Sequence, residues 1–166
     1  MRPRGECLPV NQVLDTVLRV ERDVAGFYES ARELANDDEV KHVFDTLLRE
    51  KKENQPVIEK VCQEIQCGDS ALEGASQEDL NFLSALAETA FYRRAGNPAE
   101  LADPMLQVNH LVDNALKLEK DLMLFYMRFF GVSCQAHRPV FSKLIQTSQR
   151  HVGELNNVKT RLAREY

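Results

Sequence analysis

Apolar residues along the first third of the chain recur at three- and four-residue steps, at Leu14, Val17, Leu18, Val24, Ala25, Tyr28 and Ala31. That period lays one stripe along a helix and predicts a first helix over about 11–35. Asn36 follows, with Glu39 three residues on, a capping pair that opens a second helix over about 37–67, closed at Gly68. Pro56 falls inside it and removes one backbone donor, so a kink or local unwinding is expected there without a break.

A long connection follows. It contains its own amphipathic piece, with Ser76 as N-cap, Asp79 three residues later and Leu80, Leu83, Leu86 and Ala87 behind, which predicts a short helix over about 77–94. Asp103-Pro104 then reads as a cap followed by a first-turn proline, opening a helix over about 104–130 that Gly131 closes. Its stripe includes Leu111, Ala115, Leu118, Leu122 and Tyr126. The last helix, about 136–164, carries Val140, Phe141, Leu144, Ile145, Leu155, Val158 and Leu162 on one side. Two helix hairpins joined by a long crossover define an all-α four-helix bundle, read as a single domain over 1–166.

The two hairpins resemble each other. A shift of 98 residues places Asp15 on Asp113, Glu21 on Glu119, Asp23 on Asp121, Phe27 on Phe125 and Tyr28 on Tyr126. Continued without a gap, it places Val43 on Phe141, Leu47 on Ile145, Glu50 on Ser148, Glu53 on His151 and Val57 on Leu155. Glu21 sits among Val17, Leu18, Val24, Ala25 and Tyr28, and Glu119 among Ala115, Leu118, Leu122 and Tyr126, so both carboxylates fall on stripes meant for the core. Glu50 and His151 fall on the inward sides of the second and last helices. Buried carboxylates facing one another are costly unless protonated, paired with cations or bound to metal. Four glutamates and a histidine suit iron or manganese better than magnesium or structural zinc, by ligand hardness and the absence of thiolates.

These residues resemble the ferritin-like superfamily, specifically the rubrerythrin-like di-iron carboxylate proteins, over about residues 11–162. That pattern is a glutamate from each of two helices and Glu-x-x-His from each of the other two, all projecting inward. The resemblance implies Glu21, Glu50, Glu53, Glu119 and His151 as metal ligands, with Tyr28 and Tyr126 hydrogen-bonded to site carboxylates. The sequence departs from the pattern in having Glu53 in place of a histidine and Ser148 in place of a glutamate. It also lacks the Cys-x-x-Cys pairs of a rubredoxin-like centre, so an external electron donor is expected. By analogy with related bundles, a homodimer is expected too.

Composition narrows the field further. A net charge of −5 and few breakers, with seven Gly and six Pro, describe a helical protein with no nucleic-acid surface. The sequence carries no sign of a haem or nucleotide site. No apolar run of signal-peptide length follows Met1, and Leu122–Met127 is too short to span a bilayer, which predicts a cytoplasmic protein without a membrane segment. Cys7, Cys62, Cys67 and Cys134 read as idle thiols with no redox role, and His42, His110 and His137 gain nothing from the repeat. Phe125, Tyr126, Phe129 and Phe130 form a dense aromatic group suited to a core or to a subunit interface.

Two function classes follow. One is a metal-binding oxidoreductase, acting on oxygen or peroxide or handling iron, whose catalytic residues the sequence does not single out. The other is a bundle with a degenerate site serving as a structural, sensing or partner-binding module, which Ser148 favours. Binding of a single ion for storage or delivery lies between them.

Overall fold

The computed structural model describes residues 10–67, 76–79, 81, 82, 85 and 104–165. Four long helices carry the fold: α1 (Val10–Leu34), α2 (Asp38–Cys67), α3 (Pro104–Val132) and α4 (Arg138–Glu165). Among the described residues there is no strand, and no described helix is long and apolar enough to cross a membrane.

The local signals act where the sequence places them, with small displacements. Asp37, not Asn36, caps α2, its carboxylate accepting from the Val40 amide at 3.0 Å. α2 runs through Pro56 as one continuous helix. α3 begins at Pro104 and continues past Gly131 to Val132. Ser76 and Asp79 form the expected reciprocal cap: the Asp79 amide donates to Ser76 Oγ at 3.1 Å and the Ser76 amide to Asp79 Oδ2 at 3.0 Å. The rest of the predicted 77–94 helix lies outside the described residues, apart from helical positions 77–79, 81, 82 and 85.

Side-chain pairs fix the helix directions. Arg22–Glu59 and Arg32–Asp45 run α1 antiparallel to α2, and Asp113–Lys159 and Phe129–Phe141 run α3 antiparallel to α4. Between hairpins, Asp37–Arg161, Glu50–Arg150 and Glu64–His137 run α2 antiparallel to α4. α3 therefore starts at the end of the bundle opposite the one where α2 stops, so residues 68–103 must return over roughly 40 Å of helix length.

Buried positions expose the true register of the repeat. Between α1 and α3 the 98-residue shift pairs Val17 with Ala115, Val20 with Leu118, Glu21 with Glu119, Val24 with Leu122 and Tyr28 with Tyr126, all buried. Between α2 and α4 the buried positions match at 97: Phe44 with Phe141, Leu47 with Leu144, Lys51 with Ser148, Ile58 with Leu155, Val61 with Val158 and Ile65 with Leu162. The ungapped reading fails at Val57, which is 41% exposed where Leu155 is 0%. The second hairpin is one residue shorter, and one residue turns a helix by roughly 100°.

Candidate functional site: a charge-balanced polar core

Midway along the bundle, between two aromatic layers, the core turns polar. Phe27, Tyr28 and Phe44 pack together on one side, with centroids 5.8–6.4 Å apart, and Phe125, Phe129 and Phe141 on the other, at 4.9 and 5.3 Å. These rings exclude water from the space between, where unpaired charge is expensive. Phe130, the fourth member of the aromatic group seen in the sequence, stays 37% exposed.

Within that space lie Glu21, Lys51, Glu119, Ser148 and His151, all buried. The Lys51 ammonium stands 3.6 Å from Glu21 Oε2 and 3.6 Å from Glu119 Oε1. Glu119 Oε1 also accepts from the Tyr28 hydroxyl at 2.5 Å and from His151 Nδ1 at 3.2 Å. His151 Nε2 reaches Glu50 Oε2 at 2.6 Å, and Glu50 is clasped from outside by both terminal nitrogens of Arg150 at 2.7 and 2.9 Å. Both imidazole nitrogens therefore face carboxylates, which is the hydrogen-bonding pattern of the doubly protonated ring. Three carboxylates (Glu21, Glu50, Glu119) meet three cations (Lys51, Arg150, His151), so the network closes with no net charge.

The titration of each group follows from this arrangement. Burial pushes Glu119 up, but Lys51, His151 and the Tyr28 hydroxyl together outweigh it and hold the carboxyl down to about 2. Glu21 has fewer donors, and burial leaves its carboxyl above the ordinary range. Burial alone would discharge Lys51 and His151, yet the facing carboxylates raise both above their ordinary values. The Arg150 clasp holds Glu50 low.

Of the residues expected to ligate metal, the structure brings together Glu21, Glu119 and His151, with Glu50 at the rim. Glu53 is exposed and lies on the outer surface beside Arg32, Asp45 and Lys52, which corrects its inward placement. The physical reason is the one-residue register change: Asn54, not Glu53, corresponds to His151, and Lys51, not Glu50, corresponds to Ser148. Tyr28 bonds a site carboxylate as expected, whereas the Tyr126 hydroxyl is buried without a partner. Ser148 is buried in the ring.

These residues do not fit a di-iron or manganese centre. Both nitrogens of His151 are engaged as donors, a lysine ammonium fills the gap between the two central carboxylates, and Lys51 and Ser148 supply no anionic ligand. Among the described residues, no group of three or more His, Cys, Asp or Glu side chains is placed to hold an ion. Lys51 was missed in the sequence because it follows Glu50, which the ungapped register made the natural choice.

The chain is similar to YcfI of Rhodopseudomonas palustris. That structure, provisionally designated a structural protein, matches with a TM-score of 0.54 at 13% identity over 98% of each chain, a likeness of fold. No protein-family model matches the chain, and no curated protein matches it.

Proposed function

We propose that this chain is a ferritin-like, rubrerythrin-related bundle whose metal centre has been replaced by an internal ion network, and that it works as a structural module, not as an oxidoreductase. The observation that carries this reading is Lys51, whose ammonium sits between Glu21 and Glu119 where a bridging cation would stand. The up-down-down-up course of the four helices and the pairing of Glu21 and Tyr28 with Glu119 and Tyr126 support the ferritin-like assignment. The designation of YcfI as a structural protein agrees with it. A module without a redox metal needs no electron donor.

Elemental analysis of protein produced with iron and manganese in the medium tests the proposal, alongside a Glu21→Ala/Glu119→Ala variant. We expect far less than one ion per chain in both. Near-stoichiometric metal in the parent that disappears in the variant overturns the reading. The second reading, a single bound ion, is favoured by three buried oxygens with no protein partner, Glu21 Oε1, Glu119 Oε2 and Tyr126 Oη. It requires one ion per chain in the same measurement.

A further inference from the structure

A second cluster of reactive side chains lies at the end of the bundle, far from the polar core. The turn between α3 and α4 carries Cys134 and His137, and the last turns of α2 carry Glu64. Backbone bonds from the His137 and Arg138 amides to the Cys134 carbonyl, at 3.1 and 3.3 Å, fold this turn so that the two side chains meet. Cys134 Sγ lies 3.3 Å from His137 Nδ1, and His137 Nε2 lies 3.1 Å from Glu64 Oε2. Arg138 steadies the turn by donating from Nε to the Ser133 carbonyl at 3.2 Å and by covering the Phe130 ring.

This is a line, not a chelate. The imidazole stands between thiol and carboxylate and uses a different nitrogen for each, so the three groups cannot converge on one ion. One tautomer satisfies the geometry: Nε2–H donates to Glu64, which leaves the Nδ1 lone pair for the thiol proton. Nucleophile, base and orienting carboxylate in that order are the arrangement that activates a thiol. Access differs sharply among the cysteines. Cys134 is partly exposed, and the His137 side chain is 12% exposed, while Cys62 is buried and its thiol is pushed up to about 12 by burial.

We propose that Cys134 is a reactive thiol that undergoes exchange with low-molecular-weight disulfides, with His137 as its base and Glu64 as the residue that positions His137. The Cys134 proton passes to His137 Nδ1, and the thiolate attacks one sulfur of the disulfide. The new Sγ–S bond forms as the old S–S bond breaks, and the departing thiolate takes the proton back from His137. Cys134 is thereby oxidised to a mixed disulfide, and the leaving sulfur is reduced to a thiol. Disulfide exchange suits this half-open site because its in-line sulfur displacement needs no pocket of oxyanion donors, unlike acyl transfer.

The test treats the full chain with oxidised glutathione across a pH series and reads modification at each cysteine by peptide mass spectrometry. In the parent, Cys134 reacts with a pH midpoint below the ordinary thiol value of roughly 8.5. His137→Ala slows its reaction at neutral pH by about tenfold or more, with the rate recovering at alkaline pH where the thiol ionises unaided. Glu64→Gln, a gentler change at an exposed position, slows it less, and circular dichroism checks that both variants fold. A parent profile with the ordinary thiol midpoint, or an unchanged Cys134 profile in either folded variant, overturns the assignment.

Discussion

Replacing Lys51 with methionine keeps most of the side chain's apolar stem and deletes the ammonium that faces Glu21 and Glu119. Both carboxylates remain in the core, where His151 can serve only Glu119. Removing one partner of a buried ion pair costs about 3–5 kcal/mol, because the other charge is left uncompensated. An independent figure comes from Glu119: holding a carboxyl at about 2 instead of 4.5 corresponds to roughly 3 kcal/mol of favourable interaction, to which Lys51 contributes the largest lowering effect. A domain of this size has a total stability of about 5–15 kcal/mol, so the loss is a large share of it. Urea denaturation of Lys51→Met at pH 7 should therefore show a stability lower by about 3 kcal/mol or more at an unchanged slope. The deficit has a sign in pH. Without the lysine, burial raises both carboxyls in the folded state, so the deficit is largest above their ordinary value of 4.5 and shrinks as pH falls towards it. Adding Glu21→Gln to Lys51→Met should recover part of the loss. A single variant within about 1 kcal/mol of the parent at pH 7 refutes the argument that the ammonium balances the core.

Three further outcomes follow from the same geometry. Tyr28→Phe removes the hydroxyl that donates to Glu119 and should cost about 1.5–3 kcal/mol in denaturation, whereas Tyr126→Phe removes a hydroxyl with no partner and should be neutral or stabilising. His151 is raised above 6.5 in the folded state, so its contribution is complete below that pH and is lost as pH rises through the folded value; a thermal-melt series should decline there in the parent and flatten in His151→Leu. Glu119 acts on the opposite side, its contribution lost between 4.5 and about 2 as pH falls. The triple variant Lys51→Glu/Asn54→His/Ser148→Glu installs the full ligand pattern in the register observed here and should bind manganese where the parent does not, read by isothermal titration calorimetry.

The bundle was legible because periodicity, caps and breakers all agree over long stretches, and the displacements at Asp37 and Val132 are the ordinary fraying of helix ends. Glu21, Tyr28, Glu119 and Tyr126 were legible because α1 and α3 repeat without a gap. The other half of the site was misread at one point. The apolar stripe of a core helix is wide, so a register wrong by one residue still sets apolar on apolar, as Val43 on Phe141 and Leu47 on Ile145. Identities were the better guide: at 97 residues Phe44, Leu47 and Val61 fall on Phe141, Leu144 and Val158. That register names Lys51 and Asn54 and sends Glu53 outside. Cys134, His137 and Glu64 were illegible, since the pairing joins a turn to a helix 73 positions away.

The lysine at the centre of the bundle also changes what the fold depends on. A dissociable ion stabilises a protein by mass action, so its effect rises and falls with the free concentration of that ion. The Lys51 ammonium is attached to the backbone and has no concentration term. Chelators cannot strip it, competing ions cannot exchange with it, and scarcity of metal in the surroundings leaves the fold as it was.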